Sequence, residues 1–239
     1  MSGEVLACVE VGGSGVETVL FAGDGTVLRV EGAQRPVGAR LAIATPGIID
    51  GLRVAAASSL SWLDVDPAEE LGIDGPAEVV LNDAEAAALG EVALRDGVTD
   101  AVYICVGTGV GAAVVHNRRV VLTNLLGHAG GYSDRECLCG RVGCLETVAA
   151  GWALPDPLSA ADLERAAQGI VDALRREPEA QPDLVVLAGG IVRRYPVIAQ
   201  LVAELAPERT VQMSAAPDGF KSAAAWGLRA ALAHATVRP

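Results

Sequence analysis

The chain has 239 residues, 51% of them hydrophobic and 3% aromatic, with a formal net charge of −12. That size and apolar content support a core of one large or two small lobes without disulfide staples, and the acidic balance argues against a nucleic-acid partner. No apolar run reaches the roughly eighteen residues of a membrane span, and Met1-Ser2-Gly3-Glu4 lacks the basic and apolar parts of a signal peptide, so a cytoplasmic protein with no membrane partner is expected.

β-rich runs at 5–9 and 17–21 flank Gly12-Gly13-Ser14-Gly15, and Asp24-Gly25 predicts a hairpin turn into a strand over 27–30. A short apolar strand at 41–45 ends at Pro46-Gly47. Another at 78–81 feeds Asn82-Asp83 and an alanine-rich helix over about 84–95. The opening pattern then recurs as a strand at 101–106, a glycine turn at 107–111, a strand at 112–115, a hairpin tip at His116-Asn117 and a strand at 119–122. Helical spacing marks 160–176, and a buried-type strand at 183–187 closes on Ala188-Gly189-Gly190. A helix over about 196–205, a short strand at 211–214 and a small-residue helix over about 222–234 complete the chain.

Four candidate sites emerge. His128, Cys137, Cys139 and Cys144 fall within seventeen residues. Thiolates at C-x-C and C-x4-C spacing plus one imidazole are a tetrahedral donor set, which predicts a structural zinc site, the alternative being buried or redox thiols. The two glycine turns each join two strands, so their backbone N–H groups can approach a polyphosphate where a side chain would clash. Neither opens a helix, which excludes a Rossmann or Walker loop, and tight hairpins use glycine as well. Asp83, at a strand end and a helix start, suits a general base for a hydroxyl nucleophile, the alternative being a helix N-cap. Glu146, two residues beyond Cys144, either reaches the same site or is a solvated carboxylate.

In chain order, these motifs resemble those of the ROK family, a group of bacterial sugar kinases, related proteins and repressors built on the two-lobed actin-like ATPase (ribonuclease H-like) α/β fold. Glu10-Val11-Gly12-Gly13-Ser14 is similar to the family's first phosphate motif, with Glu10 where the family has Asp. Pro46-Gly47 with Ser59-Leu60-Ser61-Trp62 resembles the segment before the catalytic strand, and the stretch from Asn82 to Glu91 resembles the one whose Asp is the base. Gly107-Thr108-Gly109-Val110-Gly111 resembles the second phosphate motif, and Leu187-Ala188-Gly189-Gly190 the adenosine motif. Gly127-His128 followed by the run from Cys137 to Glu146 matches the zinc signature, the most specific element of the likeness.

The resemblance implies an ATP- and Mg²⁺-dependent sugar kinase with its substrates between two lobes. The first lobe would take residues 1–98 with a helix at about 222–236 packing back on it, and the second residues 99–221 with a zinc loop at 128–144. It implies Asp83 as base, and Asn82, His128 and Glu146 as sugar ligands. Glu10, Gly12, Gly13, Ser14, Gly107, Thr108, Gly109, Gly111, Gly189 and Gly190 would attend the nucleotide, and a homodimer would be the working form. No helix-turn-helix extension is read at either end, so the kinase-type core is expected. Leu125 stands where the family has a sugar-binding Glu, and the stretches 30–41 and 152–183 are shorter than usual. With Glu10, these departures keep open a second reading: a protein of this fold that has lost or changed its kinase activity and acts in binding or regulation.

Overall fold

A computed structural model describes residues 4–12, 15–123, 126–216 and 220–235. Gly13, Ser14 and Leu125, named above, lie outside the described residues. The chain is an α/β protein of two compact units, the described residues up to Ala93 with those from Lys221 onward, and Leu94–Phe220.

In the first unit, β1 (Val5–Gly12), β2 (Gly15–Ala22) and β3 (Val27–Glu31) form the predicted antiparallel meander, and β1 runs longer than the 5–9 expected. β4 (Arg40–Thr45) lies parallel to β1. The central position of both follows from composition: Ala7, Cys8 and Val9, like Leu41, Ala42 and Ile43, are fully buried, and unbroken apolar runs suit strands covered on both faces. Three strands escaped the sequence reading, β5 (Ile48–Asp50), β6 (Arg53–Ala57) and β7 (Trp62–Val65), which form a small antiparallel sheet. Each is three to five residues long and carries one charged residue, and an Arg53–Asp64 ion pair of 2.8 Å ties β6 to β7. After α1 (Pro67–Glu70), β8 (Val79–Asn82) pairs parallel with β4, giving the order β3-β2-β1-β4-β8, and α2 (Asp83–Ala93) follows directly.

The C-terminal helix, Phe220–Ala235, packs on α2 at a pair of glycines. A Cβ at Gly90 would stand 1.7 Å from the Ala223 carbonyl oxygen, and one at Gly227 equally close to that of Ala86. The two backbones therefore touch, which only glycine permits. Trp226 adds an edge-on contact with Phe21 at 5.0 Å, and the Arg229 guanidinium lies over both rings.

The second unit repeats the sheet. β9 (Ala101–Val106), β10 (Val110–His116) and β11 (Arg119–Thr123) form the meander, while β12 (Leu184–Ala188) is parallel to β9 and β13 (Thr210–Met213) to β12, in the order β11-β10-β9-β12-β13. The glycine turn is tighter than predicted because Val110 and Gly111 already pair with Val106 and Cys105. Between β11 and β12 lie α3 (Glu146–Ala149), which the sequence did not announce, and α4 (Ala160–Arg176). The latter has the predicted limits because Ser159 and Asp162 form a reciprocal capping box at its start. A short α5 (Gly190–Arg194) precedes α6 (Val197–Leu205), where a single helix over 196–205 was expected. Ile104, Leu145, Ile170, Leu174, Leu187 and Ile198 fill the space between this sheet and its helices. Among the described residues, no helix is long and apolar enough to cross a membrane.

Candidate functional site

In the first unit, β1, β4 and β8 are parallel, so their C-terminal ends share one edge of the sheet. That edge carries Glu10, Gly12, Gly47, Asn82 and Asp83, which are scattered over the sequence. Strand ends of parallel sheets are where α/β proteins place ligands. Glu10 is buried, at 4% exposure. Asn82, also buried, accepts from the Ala84 N–H at 2.9 Å and donates from Nδ2 to the Gly47 carbonyl at 3.0 Å. The Glu85 carboxylate accepts from the Asn82 N–H at 3.1 Å, completing a cap around the start of α2. The cap is therefore Asn82 and not Asp83. Asp83 remains half-buried, with its Oδ1 accepting from the Ala84 N–H at 2.8 Å. Burial raises its carboxyl above the ordinary value, and the backbone hydrogen bond offsets this only in part.

In the second unit, β9 and β12 end side by side, which brings the glycine turn against Gly189-Gly190. Gly189 has φ of +99°, and a Cβ there would stand 2.3 Å from the Val106 carbonyl oxygen, so no other residue fits. Gly107, Thr108, Gly151, Trp152, Gly190 and Ile191 line an open recess of about 430 Å³. Gly151 and Trp152, which sequence reading passed over, are tied to the turn by Gly151 N–H to the Gly107 carbonyl at 2.8 Å and Trp152 N–H to that of Thr108 at 3.3 Å. A tryptophan in a chain with 3% aromatics was the available signal. Another recess, of about 520 Å³, is lined by Glu164, Arg165, Gln168 and Glu204 with Ala161, Leu201 and Leu205, and holds none of the predicted site residues.

The predicted metal ligands converge. One ligand atom from each of His128, Cys137, Cys139 and Cys144 lies within 4.8 Å of all the others. The Cys139 and Cys144 sulfurs are 3.6 Å apart, and Cys137 Sγ is 3.8 Å from His128 Nδ1. Four ligands around zinc at about 2.0–2.3 Å stand about 3.3–3.8 Å from one another, a range that these two separations match. Cys137 and Cys144 are buried, and burial lifts the first thiol and pushes the second up to about 12. At the exposed Cys139, the Arg141 backbone N–H holds the thiol lower. A divalent cation is the charge that would let such buried sulfurs ionise.

Glu146 corrects one expectation, because it is not solvated. At 8% exposure, its Oε1 accepts from the Val110 N–H at 2.8 Å and its Oε2 from the Trp152 indole at 3.3 Å, 3.7 Å from Cys137 Sγ. Burial here follows from α3, whose first residue it is.

The family model for the ROK family matches residues 29–211. Among curated relatives, an N-acetylmannosamine kinase of Escherichia coli is 32% identical over 182 residues, covering 63% of this chain and 62% of the relative. One of Yersinia pestis is 33% identical over 184 residues, covering 69% and 59%. The chain thus spans about three fifths of the length of these relatives. Among solved structures, a ROK family glucokinase from Streptomyces griseus, in complex with glucose and AMPPNP, superimposes with a TM-score of 0.70 at 19% identity, over 95% of this chain and 98% of that one. A ROK hexokinase from Thermus thermophilus gives 0.68 at 22%, over 96% and 99%. These structures share the actin-like ATPase fold, and with a family match running from β3 into β13, the chain belongs to the ROK family.

Proposed function

We propose that the protein catalyses ATP-dependent phosphorylation of a sugar or another small hydroxylated metabolite. The single observation that carries this is Asp83, a half-buried carboxyl held up in pKa at the strand edge that also bears Glu10 and Gly12. A base poised upward from the ordinary carboxylate range holds a proton more readily at the moment of transfer. Asp83 would take the proton from an acceptor hydroxyl as its oxygen attacks the γ-phosphorus and ADP departs. Gly107, Thr108, Gly109 and Gly111 would face the phosphates, as would Gly12, Gly13 and Ser14 of the first phosphate motif, and Gly189 and Gly190 the adenosine. Mg²⁺, held through the phosphates and oriented by Glu10, would supply neutralising charge. His128, Cys137, Cys139 and Cys144 would hold a structural zinc.

Asn82, His128 and Glu146 would hold the acceptor. The geometry narrows their means: both ends of the Asn82 amide have protein partners, and His128, with Nδ1 toward Cys137, would offer Nε2. The relatives' names make N-acetylmannosamine the first acceptor to assay, followed by glucose. In this reading, the protein acts in the cytoplasm as a homodimer. ADP release measured across hexoses and amino sugars tests the proposal. Turnover with one acceptor that vanishes in Asp83→Asn supports it, and no turnover across the panel overturns it.

The commitment of Asn82 to capping α2 and of Glu146 to two N–H donors favours a second reading, a binding or regulatory protein without phosphoryl transfer. A thermal shift on chelating metal, with none on adding Mg·ATP, would select it.

A further inference from the structure

We propose that Trp152 is a positioning residue that couples nucleotide in the glycine recess to the hold of the cysteine–histidine cluster on its metal. This rests on the kinase reading above, which puts the nucleotide in that recess.

Three contacts meet on this side chain. Trp152 walls the recess beside Gly107, Thr108 and Gly190. Its indole N–H donates to Glu146 Oε2 at 3.3 Å, and the Arg135 guanidinium lies 5.8 Å from the ring centroid. Arg135 is itself fixed, donating from Nη1 to the carbonyls of Thr147 at 3.1 Å and Ala153 at 3.0 Å, so the indole packs against a clamped neighbour. Beyond the indole, Glu146 joins both neighbouring features. Its Oε1 accepts from the N–H of Val110, where the glycine turn enters β10, and its Oε2 stands 3.7 Å from Cys137 Sγ.

A carboxylate buried to 8% exposure depends on its donors to offset lost hydration. Its position is therefore set by the indole and the Val110 N–H together. A purine or ribose packed on Trp152 would restrict the ring and hold the N–H on Oε2, and an oxygen engaged by that donor repels the neighbouring Cys137 thiolate less, which favours the metal-bound form. Groups just outside a metal's ligands commonly alter metal affinity by about ten- to a hundredfold. Coupling of this kind is reciprocal: the factor by which nucleotide tightens the metal is the factor by which metal tightens nucleotide.

The test uses the zinc-loaded full chain, with a chromogenic chelator to follow metal release and calorimetry to follow Mg·ADP binding. Saturating Mg·ADP is expected to slow release at least about fivefold, within the range of ordinary coupling between sites. Trp152→Phe keeps a ring in the wall and deletes the N–H. At nucleotide concentrations that saturate the variant, the slowing is expected to fall below about twofold. Glu146→Gln, which keeps an acceptor for the Val110 N–H, is a second route to the same loss should the first variant fold poorly. Calorimetric binding of Mg·ADP with unchanged metal release in the wild type overturns the coupling and leaves the kinase reading standing. Slowing that persists in both variants also overturns it. No binding heat from a metal-loaded, folded chain instead defeats the kinase reading, and the coupling with it.

Discussion

The two units are built on one plan, a five-stranded sheet in the order β3-β2-β1-β4-β8 in the first and β11-β10-β9-β12-β13 in the second, and they differ in what the connections carry. Between β3 and β4 the first unit has only residues 32–39, whereas between β11 and β12 the second holds the cysteine cluster, α3 and α4. The first unit instead sets a carboxyl at the start of α2, directly after a strand. Parallel strand ends supply the same scaffold twice, and the connections decide that one copy bears the Asp83 carboxyl and the other a recess and the cysteine–histidine cluster.

The sharpest way to break this division is Asp83→Asn. Loss of a general base is expected to lower kcat by about 10²–10⁴. The fold should not suffer, and the sign follows from burial. Because the folded carboxyl sits above its unfolded value, its contribution to stability is present in full at pH below the unfolded value and is lost as pH rises through the folded one. Neutral Asn thus removes a penalty at neutral pH, and thermal unfolding should show an equal or higher Tm. The acid limb of the rate profile, displaced upward from the ordinary carboxylate range in the wild type, is the companion measurement. A variant that both unfolds and loses activity would assign Asp83 a structural role.

Metal removal addresses the other unit. With free zinc at a thousand times its dissociation constant, mass action gives about 4 kcal/mol of stabilisation. Chelation, or Cys144→Ser, should lower Tm accordingly, and calorimetric scans should show it. No shift would mean that the sulfurs are packing groups. Gly227→Val probes the first unit where no metal assists. Forcing a branched side chain against the Ala86 carbonyl should cost about 3 kcal/mol in denaturant unfolding. The smallest effect is expected at Ser159→Ala, where loss of a cap on α4 costs about 1 kcal/mol.

Much of the sheet was legible because apolar runs such as 41–45 and 101–106 match the strands that became central, and α4 was legible to the residue because its cap is local. The small sheet of β5, β6 and β7 was not, since three- to five-residue strands with Arg53 and Asp64 carry no periodicity. α3 was hidden for the same reason, being a single turn.

The sequence by itself determined the grouping of His128, Cys137, Cys139 and Cys144, the glycine turn between β9 and β10, the repeated opening of the chain and the family, because each is written in residue types at short spacing. Only the tertiary structure decided that the Asn82 amide reaches the Gly47 carbonyl, that Glu146 is buried between an indole, the Val110 N–H and a cysteine, and that Gly189 rests on Val106. Those outcomes depend on which strand ends lie side by side and on which groups are withdrawn from water. Spacing along a chain encodes neither.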